Sequence, residues 1–188
     1  MEVWGEDYWY TYSPTLGHDT LFSCLAYAAM RDLKIHQLDT VAVYLNSDLT
    51  EEIHLHPPDG VPTAPGTVWH LKKVIYGLKQ AGLEWYRTLQ THIKSVGYSQ
   101  SRNDPCLYMQ GPDLFTVVYV DDLLLFANKA NLAHTKKDIA GKYEMHDLGE
   151  AHWFLMMEIT HDWVAQTITI DQWQYIRKIL AHFGLENA

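Results

Sequence analysis

The stretch Phe115-Thr116-Val117-Val118-Tyr119-Val120-Asp121-Asp122-Leu123-Leu124-Leu125-Phe126 decides how this chain is read. Residues 115–119 and 123–126 are apolar, aromatic or β-branched, and two such runs with a short break between them read as the strands of a hairpin. Asp is a poor strand residue, and charge is rarely buried without a partner, so the adjacent carboxylates need an explanation. Asp121 and Asp122 can be ordinary solvent-facing turn residues, which the turn preference of Asp allows. The immediate onset of Leu123 makes that turn short and leaves it without Gly or Asn. A phosphoryl-transfer site is the other explanation. Carboxylates hold two divalent ions about 3.5–4 Å apart, one activating the attacking oxygen and one stabilising the leaving oxygen. Hard carboxylate oxygens suit Mg²⁺. A third carboxylate from another strand is then expected, and Asp39, at the end of Ile35-His36-Gln37-Leu38, is well placed.

Outward from that hairpin, residues 19–31 have Leu21, Leu25 and Ala28 at helical spacing. Residues 35–39 read as a strand that continues through Val41, Val43 and Leu45 into a turn at Asn46-Ser47-Asp48. Residues 52–56 alternate polar and apolar before the stop at Pro57-Pro58-Asp59-Gly60, and 68–74 form another strand. Residues 83–96 carry Tyr86, Leu89, Ile93 and Val96 on one helical face, with Gly97 as the stop. A second long helix covers 132–145. Residues 154–159 and 167–170 form a hairpin through Asp162-Trp163. Ile176, Ile179, Leu180 and Phe183 are the stripe of a last helix ended by Gly184. Helices and strands do not alternate strictly, so the fold class is α+β.

Composition sets the outer bounds. The chain has 188 residues, of which 47% are hydrophobic, and its seven Trp and twelve Tyr exclude a disordered chain. No apolar run approaches the roughly 20 residues needed to cross a bilayer, and the acidic N-terminus lacks the order of a signal peptide. Two cysteines are too few for a disulfide framework, which indicates an intracellular setting. Fourteen Lys and Arg against 23 Asp and Glu give a net charge of −9, so a nucleic-acid site must be a local patch. Lys72, Lys73, Lys79 and Arg87 are the candidates for one, although such a charge group alone more often forms a solvated face. His54 and His56 alternate like metal ligands but have no evident third partner, and read as surface histidines. Trp69, Trp85 and Trp153 could stack on bases, though packing explains each.

Several segments resemble the signature of copia-type retrotransposon reverse transcriptases. They are Ile35-His36-Gln37-Leu38-Asp39 with Tyr44-Leu45-Asn46, then 71–81 (Leu71-Lys72-Lys73-Val74-Ile75-Tyr76-Gly77-Leu78-Lys79-Gln80-Ala81) with Trp85-Tyr86, and Asp104-Pro105-Cys106-Leu107-Tyr108. The Tyr119-Val120-Asp121-Asp122 tetrad follows, then Met145-His146-Asp147-Leu148-Gly149-Glu150-Ala151 and residues 154–159, in the family's order and spacing. The resemblance spans nearly the whole chain. It implies a fingers-and-palm fold, an antiparallel palm sheet backed by helices, which extends a primer on an RNA or DNA template with deoxynucleoside triphosphates. It implies that Asp39, Asp121 and Asp122 hold two Mg²⁺ ions, with Mn²⁺ as a substitute. Tyr44 falls where the family has a steric gate against the ribose 2′-hydroxyl, and otherwise reads as a core aromatic. Gln80 and Lys79 match positions beside the nucleotide. Phe154, Leu155, Met156 and Met157 match the hairpin that steadies the primer end. The family's setting is the cytoplasm, in virus-like particles, or the nucleus.

The same comparison of patterns marks departures. Val43 replaces a small residue where the backbone should approach the triphosphate, and is expected to crowd it. Gly82-Leu83 stand where Pro-Arg is common. Ser47 and Met156 stand for Gly, a costly exchange wherever φ is positive. Relative to the family, residues 1–188 are expected to form a single partial reverse-transcriptase domain, truncated at both ends: the basic fingers segment before Asp7-Tyr8 and the thumb-like and ribonuclease H regions after Ala188 are missing. Two functional readings follow: a template-directed polymerase domain, and a nucleic-acid-binding or assembly module that keeps the fold without the reaction.

Overall fold

The computed structural model describes residues 3–186. In chain order its elements are α1 (His18–Arg31), β1 (Lys34–Thr40), a 3-10 turn (Val43–Asn46), β2 (His54–Leu55), β3 (Trp69–His70) and α2 (Ala81–Ser95). They continue with β4 (Ser99–Gln100), β5 (Leu107–Gly111), β6 (Leu114–Tyr119), β7 (Asp122–Ala127) and α3 (Leu132–Ala140). The last five are β8 (Met145–Glu150), β9 (Trp153–Phe154), β10 (Met157–Asp162), β11 (Thr167–Asp171) and α4 (Trp173–His182). Six strands form the main sheet in the order β4-β5-β6-β7-β1-β8, every neighbouring pair antiparallel. The expected α+β class is what the molecule has.

The leucine run that follows the carboxylates fixes the layering. Side chains alternate across a strand, so Leu124 and Phe126 enter one core layer with Ile35, Phe115, Val117 and the buried face of α1. Leu123 and Leu125 enter the other, with Leu38, Val118, Tyr108 and the α2 residues Trp85, Leu89 and Ile93. A strand apolar on both faces belongs in the middle of a covered sheet, and β7 lies there between β6 and β1. The smaller β11-β10-β9 sheet adds Phe154, Met157 and Ile159 to the α1 layer.

Several boundaries differ from the sequence reading. The strand from 35 stops at Thr40: Ala42 takes φ +49 and the chain coils into the 3-10 turn, its carbonyls at Val41 and Ala42 accepting from Asn46 Nδ2. Coiling lets Val43 drop into the α2 layer. Of the expected strand 68–74 only Trp69–His70 forms a strand, paired with His54–Leu55, while Lys73 makes an isolated bridge to Asp48. The second long helix ends at Ala140 rather than 145. Gly141 stops it, buried Tyr143 continues the apolar spacing, and Met145 already opens edge strand β8. The sequence reading has no strand at β4 or β5: β4 is two polar residues, and β5 carries its apolar residues as a run, Leu107-Tyr108-Met109, without alternation. The stripe on α4 is correctly spaced yet uncovered, with no buried residue in the helix.

The β9–β10 hairpin closes on Leu155 and Met156, both at positive φ (+49 and +64), between the paired residues Phe154 and Met157. Positive φ at both loop positions is the type I′ pattern, which favours Asn-Gly. Met156, as the sequence anticipated, stands where the backbone wants Gly. Ser47 does not: its φ is −102, and its side chain is simply buried. An L-residue in the left-handed region costs roughly 1–2 kcal/mol, part of which Gly loses again in chain entropy. Met156→Gly should therefore raise the unfolding free energy by about 1 kcal/mol, read as a higher urea midpoint at unchanged slope. A lower midpoint would mean that the Met156 side chain contributes more than its strain.

Candidate active site

The acidic pair sits on the loop of the β6–β7 hairpin. Tyr119 pairs with Asp122, so Val120 and Asp121 are the two loop residues. Val120 has φ +56 while Asp121 stays on the negative side, the sign pattern of a type II′ turn, in which the first loop position is normally Gly. A β-branched residue there is an outlier, costing on the order of 1–3 kcal/mol, and such strain persists only where surroundings hold it. Here both loop carbonyls are held. Trp85 Nε1, from buried α2, donates to Val120 O at 2.7 Å, and the Thr40 amide donates to Asp121 O at 3.0 Å.

The third carboxylate arrives from β1. Asp39 is the register partner of Asp122, which puts both side chains on one face of the sheet at its end. Two residues earlier on that face, buried Gln37 donates from Nε2 to Asp122 Oδ1 at 2.8 Å. Burial pushes the Asp122 carboxyl above its usual range, the Gln37 hydrogen bond works against that, and the charges of Asp121 and Asp39 push it up further. The three carboxylates thus feel one another. Among the described residues no set of three His, Cys, Asp or Glu side chains is arranged to hold a metal ion. That does not exclude Mg²⁺, which usually keeps several waters and binds through one or two carboxylates plus substrate phosphates rather than in an all-protein cage. The donor set fits in kind: hard carboxylate oxygens, with no cation paired to Asp122 among the described residues.

The other predicted residues divide. Tyr44 lies on the 3-10 turn, half-buried against the α2 layer, its ring meeting that of Tyr76 edge-on at 4.6 Å between centroids. Its hydroxyl is pushed up by burial, by Tyr76 and by the charge of Asp121, which places it near the acidic turn. Lys79 is exposed on the bend leading into α2. Gln80 is fully buried, its Nε2 donating to Asp7 O at 3.0 Å while its Oε1 has no partner among the described residues. It holds the N-terminal segment to the bend. Val43, expected to crowd a nucleotide, points into the core instead. The basic patch is weaker than its sequence suggested: Lys73 is paired with Asp48 at 2.7 Å and Arg87 with Glu84 at 2.8 Å. Of the four residues expected to steady a primer end, Phe154 and Met157 are core residues, leaving Leu155 and Met156 at the tip of the hairpin. His54 is exposed and faces His70 across β2 and β3, with ring centroids 5.1 Å apart.

Sequence reasoning missed two residues. Gln37 left a signal, a polar side chain at an inward position of an apolar strand, two residues before Asp39. Trp85 left none, because a core tryptophan and one whose indole reaches the turn have the same spacing.

The family profile described as reverse transcriptase (RNA-dependent DNA polymerase) matches residues 1–188. Among curated relatives, the chain is 33% identical over 98% of its length to the retrovirus-related Pol polyprotein from transposon TNT 1-94 of Nicotiana tabacum. It is 31% identical over 98% to that from transposon RE1 of Arabidopsis thaliana, and 31% identical over 94% to the transposon Ty1-BR Gag-Pol polyprotein of Saccharomyces cerevisiae. These relatives are far longer: the chain spans 14%, 13% and 10% of them.

Proposed function

The chain belongs to the reverse transcriptase (RNA-dependent DNA polymerase) family, and from that premise we propose that it forms the nucleotidyl-transfer core of a copia-type retrotransposon polyprotein. By family it is an RNA-directed DNA polymerase. The six-stranded sheet with its helices is then the palm, and the chain between β1 and α2, with the small β2–β3 sheet, belongs to the fingers. One observation carries the reading: Asp39 lies opposite Asp122 in register, beside Asp121 in a tight, doubly held turn.

In this reading Asp39, Asp121 and Asp122 hold two Mg²⁺ ions, with Mn²⁺ as a substitute. Held by these carboxylates, such ions would supply activation of the primer hydroxyl and neutralisation of charge on the triphosphate. The chain's own residues do the positioning, which dominates such reactions. Gln37 orients Asp122 and keeps its ionised form accessible. Tyr44, braced by Tyr76, excludes the 2′-hydroxyl of a ribonucleotide. Leu155 and Met156 support the primer end, and exposed Lys79 contacts phosphate. Gln80 acts one step removed, by fixing the bend that carries Lys79.

The acidic composition, the internal pairing of Lys73 and Arg87 and the burial of Gln80 favour a second reading, a module that binds template without turnover. Calorimetry with primer–template, Mg²⁺ and a deoxynucleoside triphosphate separates the two. The polymerase reading expects uptake of the nucleotide complementary to the template base, followed by extension of the primer. Tight template binding with no nucleotide uptake would establish the module instead.

A further inference from the structure

We propose that Trp85 is a positioning residue for the acidic turn: its indole N–H selects the turn geometry that presents the Asp121 carboxylate to a metal ion bound beside Asp122. The proposal rests on the metal-binding reading above and adds to it a residue that touches neither metal nor substrate.

The argument begins with the geometry of a two-residue hairpin loop. Types I′ and II′ differ mainly in the orientation of the central peptide, the one whose carbonyl belongs to the first loop residue. In this loop that carbonyl is Val120 O. Its acceptance of a 2.7 Å hydrogen bond from Trp85 Nε1 therefore pins the one peptide whose flip converts type II′ into type I′. The conversion would carry Asp121 to positive φ and swing its side chain. Nothing local prevents it. Type II′ wants Gly at the first position, and Val120 is a poor substitute, exposed and β-branched at φ +56. The alternative is open to Asp121, since Asp tolerates the left-handed region. The choice is therefore made from outside the loop, by a donor that cannot move.

Trp85 is such a donor. It is 1% exposed, packed in the α2 layer, with its ring meeting Tyr143 edge-on at 5.4 Å. Trp carries a single polar group, and a buried indole N–H is expected to find an acceptor. Aiming it at the strained carbonyl satisfies both. The remaining bond to the turn, from the Thr40 amide to Asp121 O, fixes the second loop residue's carbonyl and leaves the central peptide free to rotate.

The test uses Mn²⁺ binding followed by electron paramagnetic resonance, with no nucleotide present. Trp85→Phe keeps an aromatic ring and removes the donor. The worth of one hydrogen bond sets the expected loss of Mn²⁺ affinity at about fivefold. Adding Val120→Gly should restore it, because a Gly-Asp loop adopts type II′ unaided. Leu89→Ala, in the same core layer, should lower the melting temperature and leave Mn²⁺ affinity unchanged, which separates positioning from packing. Should Trp85→Phe fail to fold, the wild-type chain still decides the matter. Coupling between sites is reciprocal, so Mg²⁺ should slow hydrogen exchange of the Trp85 indole N–H more than that of the other tryptophans. The proposal is overturned if Trp85→Phe binds Mn²⁺ as wild type does, if the double variant stays as weak as Trp85→Phe, or if bound Mg²⁺ leaves that exchange rate unchanged. A wild-type chain that takes up no Mn²⁺ would overturn the metal reading itself, and the proposal with it. Wild-type binding that Asp121→Asn removes and Trp85→Phe does not would overturn the proposal alone.

Discussion

Asp121→Asn should abolish Mg²⁺-dependent primer extension, by about a thousandfold or more, in protein that melts no lower than wild type. The size follows from what is removed. A metal-held transition state for phosphoryl transfer is stabilised by several kcal/mol, and each ~1.4 kcal/mol is tenfold in rate. Asn keeps the size of the side chain and its tolerance of turn positions, but gives up the charge. Folding should not suffer, because Asp121 is half-exposed and its charge disfavours ionisation of Asp122. Removing it relieves repulsion at the end of the sheet. Loss of activity with undiminished stability is thus the signature of a metal ligand. Extension that survives the substitution would return Asp121 to the status of an ordinary turn residue.

The largest stability effect is expected at Phe126. Its ring stacks on Phe115 at 4.6 Å with an interplanar angle of 12°, and its side chain is fully buried in the α1 layer. Phe→Ala at such sites costs about 3–5 kcal/mol, the lost transfer energy plus the cavity left behind. Against the roughly 5–15 kcal/mol that holds a domain together, that leaves the fold marginal. The measurement is the urea midpoint of Phe126→Ala against wild type, with the slope checked for two-state behaviour. A loss below about 1.5 kcal/mol would mean that α1 and the β9–β11 sheet collapse into the space. Because Phe126 lies four residues from Asp122 on the same strand, the variant should also bind Mn²⁺ less well near its own melting temperature, and normally well below it.

How much was legible depended on periodicity and on chain distance. The β6–β7 hairpin could be read outright, since eight of its residues are unambiguously apolar and only one arrangement buries them all. Helices α1 and α2 were legible from their stripes. The path after Thr40 was not, because Val41, Val43 and Leu45 alternate as a strand would. What decided it was the packing of Val43 against α2, a contact between distant segments. For the same reason the end of α3 was misplaced: Tyr143 fits the helical spacing but fills the core from a loop. In the candidate site the motif named three Asp positions; Asp39 and Asp122 are register partners at one end of the sheet, and Asp121 lies in the adjoining turn. The held turn and the Gln37 bond could not be found that way, since each joins residues that only the tertiary fold brings together. The basic patch was misjudged because a sequence shows cations and not their partners, here Asp48 and Glu84.

The strand order has a kinetic corollary. β1, made early, is inserted between β7 and β8, both made late, and the Gln37–Asp122 bond spans 85 residues. The β6–β7 hairpin can close within microseconds as a local event, whereas docking β1 must first meet the entropy of a long loop. On a ribosome, Asp39 has no strand to pair with until the β6–β7 hairpin has emerged, and β1 keeps one open edge until residues 145–150 follow. The acidic site therefore waits on the docking of β1 against β7, and β8 later closes the other edge of the strand that carries Asp39.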